Sequence, residues 1–167
     1  MEANNLSTSE AVQVLIVPLQ GVNLVIPQAL VMEIQPVTEV RHALADSPAW
    51  CRGEIDWRGS RVPLLSIEEW CGLERSSSGG RTRRVAILKG ASKQTNIGYY
   101  AIEIHSIPHP VRVSPVDIQT VDARSDCELF QQSVKVAGVY GELVDLDLLE
   151  SRVVALFRPS RRNEPEA

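Results

Sequence analysis

The residues most capable of chemistry in this chain are its cysteines and histidines, and their spacing argues against an enzyme. His105 and His109 lie four apart, but prolines on either side of His109 prevent the helix that would place both on one face. Cys51 lies beside Arg52, which could lower the pKa of a thiol, yet no partner histidine is adjacent. Glycine-rich phosphate-binding motifs and a Gly-x-Ser-x-Gly nucleophile motif are absent from the sequence. We therefore expect no catalytic activity, no cofactor and no metal site.

The composition is that of a mildly acidic globular protein. The 167 residues carry 17 Lys and Arg against 21 Asp and Glu, a net charge of −4, whereas a nucleic-acid-binding protein would normally be basic. No apolar run reaches the roughly 18–20 residues of a membrane helix, and the first ten residues lack the features of a signal peptide. We therefore expect a cytoplasmic protein without nucleic acid or membrane insertion, whose three cysteines stay reduced.

Short strands dominate the sequence pattern. Twenty Val and eleven Ile favour pleated surfaces, while ten Gly and ten Pro break the chain into short segments. The apolar runs 12–19 and 23–26 flank a Gln-Gly turn and predict a first hairpin. Near the end of the chain, residues 145–149 indicate a helical turn, and residues 152–157 fit either a last strand or a helix. The fold class expected from this pattern is all-β.

A small, polar segment, RSSSGG, divides the chain into halves of similar texture. Each half holds about five short strands, enough for one small barrel that would be marginally stable alone. The two barrels are therefore expected to pack side by side and leave a groove, with end strands able to cross between them. The expected boundaries are a flexible arm 1–11, a first barrel 12–73, a linker 74–83, a second barrel 84–157 and a charged tail 158–167.

The segment from Trp50 to Ile67 differs from the rest of the chain. It contains two tryptophans, and Arg58 lies between Trp57 and Gly59, in a protein with only 5% aromatic residues. Tryptophan and arginine are the residue types richest in binding hot spots. A pair of core strands with a turn at Gly59 explains the same pattern without a binding role, so both interpretations stand on the residues alone.

The segment reads Trp50-x-x-Gly53-x-x-x-Trp57-Arg58-Gly59-x-x-Val62-Pro63-Leu64. This pattern resembles the signature of the CheW-like adaptor domain of bacterial chemotaxis. The resemblance covers about residues 12–157 and implies two packed SH3-like five-stranded barrels with short helical turns and no catalytic activity. It also implies an adaptor in a two-component sensory array, which couples methyl-accepting chemotaxis receptors to the regulatory domain of a CheA-type histidine kinase.

The resemblance leaves the biological output open. A cytoplasmic adaptor of this kind would be recruited to membrane-associated receptor arrays, either for chemotaxis or, as a paralogue, for twitching motility by type IV pili. From the residues alone, a stand-alone peptide- or nucleic-acid-binding β-barrel is the alternative interpretation. A small hydrolase assembled from distant loops is a third.

The resemblance implies that Val31, Gly53 and Arg58 lie near the receptor-binding surface, as the matching family positions do. Gly53 leaves the backbone open to close approach by a partner helix. On this hypothesis, Gly53→Asp weakens receptor coupling and leaves the fold intact.

Kinase contacts are expected where apolar residues at a loop tip have a polar rim, the usual anatomy of an interface. Val40 and Leu44 supply the apolar residues, and Glu39 and Arg41 supply the rim charges. The alternative is that Val40 and Leu44 cap the core of the first barrel.

Glu33 and Arg58 are expected to form an ion pair. Glu33 lies between Met32 and Ile34 in an apolar strand, where an unpaired carboxylate is costly if it is even partly buried. The planar guanidinium of Arg58 suits a carboxylate partner, and the family resemblance implies that both residues lie at the same edge of the first barrel. We expect this pair to orient Arg58 for binding, because a surface ion pair contributes only about 0–1 kcal/mol to stability.

Overall fold

The computed structural model describes residues 11–37, 39–43, 45–73 and 83–157. Nearly all of the expected arm and linker, the whole tail and Leu44 lie outside the described residues. Within these ranges the chain forms mainly short strands, as expected. The strands are β1 (Val12–Pro18), β2 (Asn23–Pro27), β3 (Val31–Pro36), β4 (Arg41–His42), β5 (Cys51–Trp57), β6 (Ser60–Leu65), β7 (Arg84–Lys89), β8 (Tyr99–Ile104), β9 (His109–Val113), β10 (Ile118–Thr120), β11 (Phe130–Val136) and β12 (Val139–Val144). The helices are α1 (Ile67–Trp70) and α2 (Leu146–Phe157), with single 3-10 turns at Gln28–Leu30 and Pro115–Asp117.

The strands form two six-stranded sheets, each built from both halves of the sequence. The central sheet has the order β3-β7-β8-β6-β5-β4, and the terminal sheet has the order β10-β11-β12-β2-β1-β9. The two sheets therefore do not coincide with the expected segments 12–73 and 84–157, for which crossing of end strands was expected. Whole hairpins, β1–β2 and β7–β8, cross between the halves. The parallel pairings of β2 with β12 and of β6 with β8 join strands far apart in sequence, which local turn signals do not reveal.

A shared apolar core joins the two sheets. Leu15 and Leu24 of the terminal sheet pack in one buried cluster with Leu65 and Ile102 of the central sheet. Fully burying such a side chain contributes about 1.5–3 kcal/mol, so the contact between the sheets is a major source of stability. Each sheet also encloses a smaller valine- and isoleucine-rich core of its own. The side-by-side packing expected from the size of the halves is thus present.

The last element is one continuous helix. The expected helical turn at 145–149 and the segment 152–157 merge into α2, because Leu149 and Val153 recur at helical spacing and are both buried against the shared core. Asp145 begins the helix, since its Oδ1 accepts a hydrogen bond from the backbone N–H of Leu148 at 3.0 Å. Among the described residues, no helix has the length and apolar character needed to cross a membrane.

Glu150 is a fully buried carboxylate that fastens α2 to the β7–β8 connection. Its Oε1 accepts hydrogen bonds from the backbone N–H groups of Ala91 at 2.7 Å and Ser92 at 3.1 Å. The hydroxyl of Tyr100 lies 3.4 Å from its Oε2, and burial together with this carboxylate raises the pKa of Tyr100. Two backbone donors of the connection are therefore satisfied by one side chain of the helix.

Replacing this carboxylate should destabilise the protein. We expect Glu150→Gln to lower the free energy of unfolding by about 1–2 kcal/mol, because neutral hydrogen bonds replace charge-assisted ones. The matched control is Asp147→Asn at an exposed position of the same helix, where a change of about 0.5 kcal/mol is expected. Urea unfolding followed by circular dichroism measures both. Equal losses in the two variants would contradict the fastening role of Glu150.

Two cysteines do not follow the expectation of reduced thiols. Cys71, directly after α1, and Cys127, three residues before β11, form a disulfide although 56 positions separate them. Folding brings them together because the end of β6–α1 in the central sheet and the start of β11 in the terminal sheet meet beside the shared core. Spacing alone carries no sign of this proximity.

Candidate functional site

The signature segment forms the β5–β6 hairpin, which closes at the turn expected from the sequence. Trp57 pairs with Ser60, so Arg58 and Gly59 are the two turn residues. Their φ angles are +48° and +77°, the signs that a type I′ turn requires at both positions. Glycine adopts this region freely, whereas a left-handed residue with a side chain costs about 1–2 kcal/mol. The fold thus tolerates strain at Arg58 to present this side chain at the end of the hairpin.

The side chain of Arg58 is held from two directions while remaining 64% exposed. Its Nη2 lies 3.7 Å from Oε2 of Glu33, so the structure brings the expected pair within ion-pair distance. Its guanidinium carbon lies 4.7 Å from the centre of the Trp57 ring, within reach of a cation–π interaction. Because both charged groups are exposed, the ion pair contributes only about 0–1 kcal/mol to stability.

Four residues form what we call the Arg58 cluster: Glu33, Trp57, Arg58 and Tyr99. The indole N–H of Trp57 donates to Oε2 of Glu33 at 2.9 Å, the same oxygen that faces Arg58. Trp57 is buried, and its ring meets Tyr99 edge-on with 4.9 Å between ring centres. The indole therefore fixes the carboxylate that in turn orients Arg58. The sequence pattern does not reveal this contact, because it joins β3 to a hairpin that is not its neighbour in the strand order.

Two of the three expected receptor contacts lie at or near this cluster. Val31 is on β3, two residues from Glu33, with a bulge between them, and it packs against the shared core. Its burial is intermediate, so part of its side chain stays accessible.

The role expected for Gly53 is corrected by the structure. Gly53 is buried in β5 with φ +125°, and a Cβ atom there would lie 1.8 Å from the carbonyl oxygen of Arg41. The close backbone approach that a glycine signals is therefore made by β4 of the same chain. Gly53 is a structural residue, so Gly53→Asp is expected to damage the fold itself.

Three of the residues expected to contact the kinase, Glu39, Val40 and Arg41, are described and lie at the edge of the central sheet. Glu39 is exposed, and Arg41, in edge strand β4, pairs with Asp56 at 3.3 Å between Nη2 and Oδ2. Val40 is half-buried and packs against the core of the central sheet, which favours the core-capping interpretation for that residue. A pocket of about 310 Å³ lies beside it and is lined by residues that include His42, Pro48 and Cys51.

Cys51 has the surroundings of an inert core thiol. Burial raises its pKa, opposite to the lowering that the adjacent Arg52 suggested. The guanidinium of Arg52 is directed elsewhere, with Nε 3.3 Å from Oε1 of Glu103. A high pKa leaves little thiolate at neutral pH, and the thiolate is the reactive form.

Comparisons with known proteins identify the family and the fold. A family model described as the CheW-like domain matches residues 13–152. The scaffolding protein TtCheW from Thermoanaerobacter tengcongensis has a similar structure, with a TM-score of 0.68 at 11% identity over 87% of this chain and 91% of that chain. Among curated proteins, none matches significantly. The expected all-β fold of two packed SH3-like units is confirmed, and the described residues form six strands in each sheet where five were expected. Because the family match spans most of the sequence, the chain belongs to the CheW-like domain family.

Proposed function

We propose that this protein is a non-catalytic adaptor that couples methyl-accepting chemotaxis receptors to a CheA-type histidine kinase. Family membership supports a scaffold role in chemotaxis-type signalling. On this proposal the protein works in the cytoplasm and joins membrane-associated receptor arrays. The output is chemotaxis or, with a different kinase and receptor, type IV pilus motility.

The Arg58 cluster is the observation that carries the proposal. Arg58 has a strained left-handed backbone, stacks on the Trp57 ring and pairs with a carboxylate that the buried indole holds in place. A hairpin turn can form without any of these features. Backbone strain of this kind persists where the surrounding structure enforces it, commonly at binding sites. The exposed guanidinium keeps hydrogen-bond donors for a partner, which suits the polar tip of a receptor helical hairpin.

The kinase would bind at the edge of the central sheet around β4. Glu39 and Arg41 supply exposed charges of opposite sign, and the neighbouring pocket offers a concave apolar and polar surface. Arg41 pairs with Asp56, two residues before Arg58, so this surface adjoins the turn that carries Arg58.

Charge reversal tests the kinase surface. We expect Glu39→Lys and Arg41→Glu each to weaken kinase binding about tenfold, since rim charges govern encounter and register. Loss of the Arg41–Asp56 pair should lower the free energy of unfolding by only about 0–1 kcal/mol, because both side chains are more than half exposed. Arg112→Glu, at an exposed position of β9 in the terminal sheet, is the matched control and should bind normally. Unchanged affinity in both test variants would place the interface elsewhere.

A direct binding measurement tests the proposed function. The purified protein is titrated calorimetrically with the regulatory domain of a CheA-type kinase from the same organism. We expect a dissociation constant in the micromolar range or below, and no binding to the kinase lacking that domain. No association at micromolar concentrations would contradict the adaptor role.

A further inference from the structure

Helix α1 follows β6 of the central sheet and contacts a turn of the terminal sheet. Its residue Glu68 is only 3% exposed and accepts a hydrogen bond from the backbone N–H of Gln20 in the β1–β2 turn at 3.3 Å. The other carboxylate oxygen lies 3.1 Å from Nε2 of His105 in the β8–β9 connection. One short helix therefore contacts the β1–β2 turn of the terminal sheet and the β8–β9 connection, which passes from the central sheet to the terminal sheet.

The Cys71–Cys127 bond adds a covalent link at this same junction. The two Cα atoms are 5.2 Å apart, and both side chains are half-buried at the rim of the shared core. The bond ties the residue after α1 to the segment that leads into β11. It thus closes a covalent loop across the two sheets.

Noncovalent contacts hold the two cysteines together independently of the bond. The indole N–H of Trp70 donates to Oε1 of Glu128 at 3.1 Å, one residue from each cysteine. Trp70 also stacks on Trp50, with 4.2 Å between ring centres. These contacts would keep the two sulfur atoms close after reduction, which favours re-formation of the same bond.

We propose that Cys71 and Cys127 form a reversible two-electron redox switch that locks α1 to the segment preceding β11. In oxidation, one deprotonated cysteine attacks the sulfur of a small disulfide such as oxidised glutathione and displaces one thiolate. The second deprotonated cysteine then attacks the mixed disulfide, forms the Cys71–Cys127 bond and displaces a second thiolate. Reduction by two equivalents of a small thiol runs the same steps backwards. The half-buried sulfurs are within reach of such reagents, whereas Cys51 is buried.

The experiment counts free thiols in the full-length protein across a series of glutathione buffers. Samples are quenched in acid, unfolded, alkylated with N-ethylmaleimide and weighed by mass spectrometry. We expect three labels in reducing buffer and one, on Cys51, in oxidising buffer, with the change completed within the series. The oxidised protein should melt about 8 °C higher, because the closed loop restricts the unfolded chain. Hydrogen exchange in residues 121–129 should be slower in the oxidised form.

The outcomes separate a switch from a static bond or free thiols. One label at every ratio would show a permanent bond, and three labels at every ratio would show that the cysteines do not pair. Either result overturns the proposal, as does a full thiol change that leaves both the melting temperature and the exchange of 121–129 unaltered. The Cys51→Ser control should lose one label throughout and keep the transition. Cys71→Ser should show no redox-dependent melting, and the wild-type series remains decisive if that variant does not fold.

Discussion

Arg58→Ala is expected to abolish receptor coupling and to leave the melting temperature within about 4 °C of wild type. The small thermal effect follows from exposure, because the Arg58–Glu33 pair contributes about 1 kcal/mol at most and each kcal/mol shifts melting by about 2–4 °C in a protein of this size. The large functional effect follows from loss of the guanidinium presented at the hairpin end. Co-sedimentation with receptor-containing membranes measures coupling, and calorimetry measures melting.

Two further arginine variants sharpen this prediction. Arg58→Lys keeps the charge but lacks the planar group that stacks on Trp57, so it should restore coupling only poorly. Arg61→Ala changes another exposed arginine of the same hairpin and should couple normally. Normal coupling by Arg58→Ala would overturn the receptor role of the cluster. Unfolding of that variant would instead make Arg58 a structural residue.

Gly53→Ala is expected to destabilise the fold by more than about 3 kcal/mol. The added Cβ would lie 1.8 Å from the carbonyl oxygen of Arg41, and the φ of +125° is itself unfavourable for any residue with a side chain. The clash can be relieved only if β4 moves away from β5, and this movement breaks the pairing at the edge of the central sheet. Denaturant unfolding measures the loss, and poor yield of soluble protein would be consistent with it.

Gly59→Ala is the matched control for this prediction. Gly59 also has a positive φ, +77°, but no atom lies within 4 Å of the position that its Cβ would take. It should therefore lose only the backbone cost of about 1–2 kcal/mol. If Gly53→Ala were as stable as Gly59→Ala, the contact with Arg41 would not be tight, and an accessible backbone at Gly53 would have to be considered again.

Features encoded locally could be predicted from the sequence. The β5–β6 turn follows from the position of Gly59 between two apolar strands. The Glu33–Arg58 pair follows because a carboxylate in an apolar strand needs a partner of opposite charge. The choice of Arg58 as that partner came from the family resemblance, since residue types alone offer several arginines. The turn is therefore predictable from the local residues, whereas the partner of Glu33 is predictable only from the family resemblance.

Features that depend on long-range pairing could not be predicted. Gly53 was interpreted as an open approach for a partner because the sequence does not show that β4 folds back onto it. The interleaved sheets rest on two parallel strand pairs, and the Cys71–Cys127 bond rests on those sheets. The Trp57–Glu33 hydrogen bond could not be predicted either, because it joins β3 to the distant β5–β6 hairpin.

Reconstitution of receptor control over the kinase tests the central claim most directly. Autophosphorylation of a CheA-type kinase is measured with receptor-containing membranes, with and without this protein, and with the Arg58→Ala and Arg61→Ala variants. We expect the receptors to change the kinase rate only when wild-type protein or the Arg61→Ala variant is present. A kinase rate that responds to the receptors equally without the protein, or equally with Arg58→Ala, would contradict the account.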